Sequence, residues 1–223
     1  MRGALYVDGY NLYHAINDLG QPYLKWLNLR RLGEILARGH SKTIERIVYC
    51  TAFFPDDHGK KTRHQYYIDA LSQYHVETVI GHTTKEPLKC RLESCGHQWD
   101  VHREKETDIN LALSLYQDAV SDVYDVAFLV TADTDQVSTL KFMRRFYPHK
   151  KVFVIVPPSR EPSKHLRDLA DGTIKMNMDH LDLSVLPAVV GQQGFRSIIR
   201  PHEYTPPTGW VHPDDRPKKS IMR

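Results

Sequence analysis

The chain has 223 residues, 41% of them hydrophobic and 26% charged, with a formal net charge of +3. It is too apolar for a disordered polymer, and no apolar run approaches the ~18 residues a membrane helix needs. Three cysteines, an odd number, argue against a disulfide framework, and MRGALYVDGYNLY lacks a secretory apolar core, so a cytoplasmic globular protein is expected.

In chain order, Ala4–Asp8 reads as a short apolar strand and Tyr10–Leu19 as a helix. Leu29–Arg38 has apolar residues at 29, 32, 35 and 36, a helical period. Arg46–Phe54 is a β-branched and aromatic strand stopped by Pro55-Asp56-Asp57. Lys61–Tyr74 predicts a helix and Val76–Gly81 a third strand. Asp108–Ser121 predicts a helix, Asp125–Thr131 a fourth strand, Val137–Phe146 a helix, Lys151–Pro157 a fifth strand and Ser163–Ala170 a short helix. Continuous apolar strands separated by helices predict a parallel sheet covered on both faces, a three-layer α/β domain over residues 1–185. Residues 186–223 lose that pattern. From Pro187 onward lie six of the 13 prolines and six Lys or Arg against three Asp or Glu, while the rest of the chain is neutral. A basic, Pro-rich tail points to a polyanionic partner. Its aromatics Phe195, Tyr204 and Trp210 either stay mobile or pin it to the body or a partner.

Four acids stand apart from ordinary surface charge. Asp8 ends the first strand, Asp133 and Asp135 follow the fourth, and Asp108 opens a helix. Open parallel sheets bind ligands beyond the carboxyl ends of their strands, and right-handed crossovers return helix starts to that same rim. If the first and fourth strands are neighbours, all four carboxylates converge there. Crowded carboxylates repel unless cations neutralise them, and oxygen-only donors favour Mg²⁺ or Mn²⁺. Such a centre activates water for attack on a phosphodiester. The competing explanation is helix capping, which also places Asp before a helix.

YVDGYNLY (6–13), EKETDINLAL (104–113) and FLVTADTDQVSTL (128–140), in that order, resemble the NYN branch (LabA-like) of the PIN-like nucleases. The resemblance implies a sheet in the order 3-2-1-4-5 and metal-dependent hydrolysis of RNA at Asp8, Asp108, Asp133 and Asp135. It also implies Asn11 as a polar partner, and Lys105 and Thr131 as residues that meet the substrate or orient a carboxylate. Two departures stand out: the turn reads TADTDQ where the family usually shows SGDSDF, so Ala132 replaces Gly and Gln136 replaces an aromatic residue.

Between the third strand and Glu104 lies an insert (83–103) with Cys90, Cys95, His97 and His102, candidate ligands for a structural Zn²⁺. Its alternative reading is a loop of reduced thiols and surface histidines beside the rim. Lys60, Lys61 and Arg63 follow the second strand and are candidate phosphate contacts, and Tyr10 is a candidate base-stacking residue. No P-loop, GxGxxG, GxSxG or HExxH occurs. The expectation is a divalent-metal-dependent endoribonuclease with RNA as partner, and the sequence leaves open whether it forms a homodimer through the tail. Two rivals are weighed: a non-catalytic RNA-binding or regulatory module on the same rim, and an Asp8-nucleophile phosphatase. The second is disfavoured because DGY lacks an acid two residues on.

Overall fold

The structure is a computed structural model, and it describes residues 1–54, 56–92, 94–191 and 196–217. Phe195 and the tail's last six residues lie outside the described residues.

β1 (Arg2–Asp8) leads into α1 (Gly9–Asp18), and α2 (Leu29–Leu36) into β2 (Thr43–Thr51), followed by α3 (His58–Ser72) and β3 (Glu77–Ile80). The chain then leaves the sheet as a hairpin, β4 (His82–Lys89) and β5 (Gln98–Lys105). It returns through α4 (Thr107–Val120), β6 (Val126–Val130), α5 (Val137–Phe146), β7 (Lys151–Val156), α6 (Lys164–Leu169) and β8 (Gly172–Lys175). α7 (Met178–Asp182) and a small antiparallel pair, β9 (Val189–Val190) with β10 (Ile198–Ile199), complete the named elements.

The main sheet is parallel throughout, in the order β3-β2-β1-β6-β7-β8. Leaving the hairpin aside, this is the expected 3-2-1-4-5 order with a sixth strand added at one edge. That strand, GTIK, is too short and too polar to carry a period-2 signal. It seats against β7 because residue 172 is glycine: a Cβ there would come within 2.5 Å of the Phe153 ring.

Alternate residues of each central strand feed two separate cores, the pattern of a sheet buried on both faces. Leu5, Val7, Ile47, Phe128 and Ile155 pack with α1, α2 and α3, whereas Tyr6, Val48, Leu129 and Val154 pack with α4, α5 and α6. The three-layer α/β class therefore holds. β6 does lie beside β1, with Val7 in register with Val130, so Asp8 and the turn after β6 leave the sheet side by side.

The insert is not the loop that the sequence suggested. β4 and β5 pair antiparallel over their full length, from His82 with Lys105 to Lys89 with Gln98. One face of HTTKEPLK and QWDVHREK is polar and the other mixes Leu88, Trp99 and Val101 with charged residues, so no clean alternation advertises a strand. The hairpin is fastened to the body where Thr83 Oγ1 donates to the Phe53 carbonyl at 2.8 Å.

The described part of the tail is pinned across its own body. Trp26 Nε1 donates to the Pro187 carbonyl (2.9 Å) and Trp210 Nε1 to Asp182 (2.6 Å). Arg216 pairs with Asp182 (2.6 Å), Arg31 with Asp214, and Arg63 with Glu203 (2.7 Å). Tyr204 and Trp210 pack against the core on the α1–α3 side.

Candidate metal and phosphate site

The end of β1 sets the first acid. Gly9 follows it because the chain passes tightly over β2: a Cβ there would meet the Tyr49 ring at 2.6 Å and the Cys50 carbonyl at 2.7 Å. Asp8 is 5% exposed. One of its oxygens accepts from the Asn11 backbone N–H (2.9 Å), capping α1, and the other from Thr131 Oγ1 (3.1 Å). Capping and site-lining are therefore the same placement, not alternatives. Thr131 also accepts from the Asp133 N–H (3.0 Å), and the Asn11 side chain accepts from the Ala132 N–H (3.2 Å). These bonds lock the β1 and β6 ends together. Asn11 thus positions the turn, and Thr131 keeps the orienting part given to it from the sequence.

Asp133 caps a short 3-10 turn by accepting from the Asp135 N–H (2.9 Å). Across the cleft, Asp108 opens α4. The chain enters that helix through Glu106, which sits at φ 73°, the left-handed region that costs a non-glycine residue ~1–2 kcal/mol. The buried Gln136 donates to both the backbone carbonyl (3.2 Å) and the carboxylate (3.3 Å) of Asp108 and accepts from Thr139 (2.9 Å). Where the family pattern has an aromatic residue, this chain has an amide that ties α4 to the turn.

Asp8, Tyr10, Asn11, Lys105, Asp108, Asp133 and Asp135 all line one open cleft of about 420 Å³. Glu104, the residue the sequence reading passed over, lines it too, as do His14, Arg160 and Glu106, which stands 3.1 Å from His82. Glu104 lies one residue before the end of a strand that carried no strand signal, and in EKETDINLAL (104–113) only Lys105 and Asp108 were singled out. Among the described residues, none of the cleft's five carboxylates other than Glu106 forms an ion pair. Burial pushes the Asp8 carboxyl up to about 7, with the charges of Asp108 and Glu104 adding to it and the two hydrogen bonds opposing. Asp108 is raised by burial and then by Asp133, and Glu104 by burial and by Asp108. The cleft's cations are engaged elsewhere: Lys105 with Glu86 (3.4 Å) and Arg160 with Asp18 (2.6 Å).

The remaining candidates lie apart. Lys60 lines a neighbouring cavity, Lys61 sits 5.9 Å from the Phe53 ring, and Arg63 holds the tail through Glu203. The four zinc candidates are not brought together. Cys90 and His97 face each other at the hairpin's tip, where the Cys90 N–H donates to the His97 carbonyl (2.8 Å). His102 stands five residues down β5, roughly 17 Å away at ~3.4 Å per residue, and pairs with Asp56 (2.9 Å). His97 stacks on Trp99 (centroids 5.5 Å).

Among the described residues, no three His, Cys, Asp or Glu side chains close around a single point. The cleft's donor set nonetheless fits a hard divalent cation. Its carboxylate oxygens outnumber the one imidazole, His14, and Mg²⁺ needs only one or two direct carboxylates because it keeps several waters.

The NYN domain family matches residues 2–179. The chain belongs to the NYN domain family. The 6-hydroxy-3-succinoylpyridine 3-monooxygenase of Pseudomonas putida is 27% identical over 202 residues, covering 76% of this chain and 64% of that relative. A protein of unknown function from Vibrio parahaemolyticus shares the fold, with a TM-score of 0.51, 18% identity, and coverage of 80% of this chain and 94% of that one. Membership of this family brings with it a PIN-like nuclease fold. Among the described residues no helix is long and apolar enough to cross a membrane.

Proposed function

We propose that this NYN protein is an endoribonuclease that hydrolyses RNA phosphodiesters with the help of Mg²⁺ or Mn²⁺. One observation carries the reading: six carboxylates from three separate stretches of chain line one cleft at the carboxyl rim, and five of them have no ion-pair partner among the described residues, since the cleft's own Lys105 and Arg160 pair elsewhere. That is an unfavourable arrangement in a free protein, and it suits a site that acquires positive charge with its substrate. Asp8, Asp108, Asp133 and Asp135 would hold the cation, with Glu104 adding charge from the hairpin side. When bound, the cation would lower the pKa of water and offset charge on the phosphate. The protein's own part is orientation. Thr131 and the Asn11 backbone fix Asp8, Gln136 fixes Asp108, and the Asn11 side chain fixes the turn that carries Asp133.

The test is cleavage of unstructured RNA in Mn²⁺ by wild type and Asp108→Asn. A loss of at least ~100-fold, with unchanged RNA binding and circular dichroism, is expected when a metal-holding carboxylate is neutralised. Equal rates would overturn the reading. Salt-sensitive binding by wild type with no cleavage at all would favour the non-catalytic RNA-binding module instead.

A further inference from the structure

On the far side of Tyr10 from the acids lies a second cavity of about 60 Å³, and no carboxylate lines it. At ~10–15 Å³ per enclosed water it has room for about four to six waters. That is under half the ~150 Å³ of a cavity that encloses benzene, so the hollow takes one planar ring only in part, through its open mouth, and a fused pair less well. Its walls are aromatic. Tyr10 and Phe54 lie within 23° of parallel with centroids 5.8 Å apart, and Tyr13, Tyr49 and Tyr67 supply further ring surface. One wall is polar but uncharged: Thr51 Oγ1 stands 3.2 Å from His64 Nε2. Burial pushes His64 down to about 4, so its ring is neutral at pH 7 and free to donate or accept according to its tautomer. Two cations complete the lining. Lys25 Nζ sits 4.5 Å from the Tyr13 ring centroid and donates to Asn17 (2.7 Å), and the exposed Lys60, 5.5 Å from the centroid of Phe54, lies 3.6 Å from Asp57. Tyr204 from the tail closes one side, in the short turn whose Glu203 pairs with Arg63.

We propose that this cavity binds a single six-membered heteroaromatic ring carrying an anionic group. The aromatic walls take the ring's faces, the Thr51–His64 pair meets its polar edge, and Lys25 and Lys60 receive the anion. The ring's source is either an unpaired pyrimidine nucleotide within a strand or a free ring carboxylate. The site does not rest on the hydrolase reading, since it uses none of the acids and needs no divalent ion.

The experiment is calorimetric titration of the full chain in EDTA with UMP, AMP, nicotinate and the trinucleotide UUU, repeated with Lys60→Ala and Tyr204→Ala. Neither substitution removes a fully buried side chain, and circular dichroism verifies the fold of each variant. UMP, nicotinate or both are expected to bind at least tenfold more tightly than AMP. Each substitution is expected to weaken that binding at least fivefold. UUU binding more tightly than nicotinate identifies a nucleic-acid strand as the source, and the reverse order identifies a free small molecule. AMP binding as tightly as UMP, binding unmoved by both substitutions, or no binding of any single-ring probe overturns the proposal.

Discussion

The two ends of the central sheet treat their acids in opposite ways. At the amino end, Asp125 accepts from the Arg2 backbone (2.7 Å) and guanidinium (2.8 Å), and the Arg2 guanidinium holds its carboxyl down to about 2. Asp122 is lowered by hydrogen bonds from Lys150 and Arg2, and Asp118, which burial raises, is pulled back down by Tyr6 (2.7 Å) and Arg46 (2.8 Å). At the carboxyl end, Asp8, Glu104 and Asp108 have no ion-pair partner among the described residues, and all three are shifted up. Acids that serve the fold are neutralised by the fold. Those at the carboxyl rim make the protein less stable, and that cost is consistent with a ligand which supplies the missing charge.

The contrast is strongest in stability. Asp118→Ala is expected to cost ~3–5 kcal/mol in urea unfolding, because it strips a largely buried carboxylate from Arg46 and Tyr6. A cost under ~1 kcal/mol would mean that the amino-end network is not structural. Asp8→Asn is expected to do the opposite and stabilise the metal-free protein at pH 8. The sign follows from linkage. A carboxyl raised from the ordinary aspartate range to about 7 binds its proton more tightly in the folded state, so stability is highest at low pH and falls as pH rises towards 7. The gain should be on the order of 2–4 kcal/mol at pH 8 and vanish near pH 4, read as the gap between wild-type and variant unfolding curves. A gap independent of pH would show that Asp8 is not held under charge stress. The smallest effect belongs to Asp122→Asn. Its carboxylate is exposed and far from the cleft, so RNA cleavage should be unchanged within error while thermal stability drops slightly. A large fall in cleavage rate would break the division of labour between the two ends.

How legible this was in the sequence depends on burial. Strands such as VAFLV are buried on both faces and announce themselves as unbroken apolar runs, and the helices between them carry a clear period. The convergence of Asp8, Asp108 and Asp133 followed from topology alone, once β1 and β6 were taken as neighbours. The hairpin was opaque because it stands off the body with one polar and one mixed face, and Glu104 was lost with it. Gln136 was noticed only as a departure, since a buried amide's partners are set by tertiary contacts and not by spacing. The basic residues misled for a related reason. Arg63 and Lys105 read as free charges in sequence, but distant acids engage them, Glu203 for one and Glu86 for the other.

The most direct test is anomalous diffraction from crystals of the full chain soaked in Mn²⁺. A peak within ~2.0–2.6 Å of carboxylate oxygens from Asp8, Asp108 or Asp133 is predicted, lost in Asp8→Asn or Asp108→Asn crystals. Well-ordered carboxylates at the rim with no peak between them, at Mn²⁺ concentrations that support cleavage, would contradict the account.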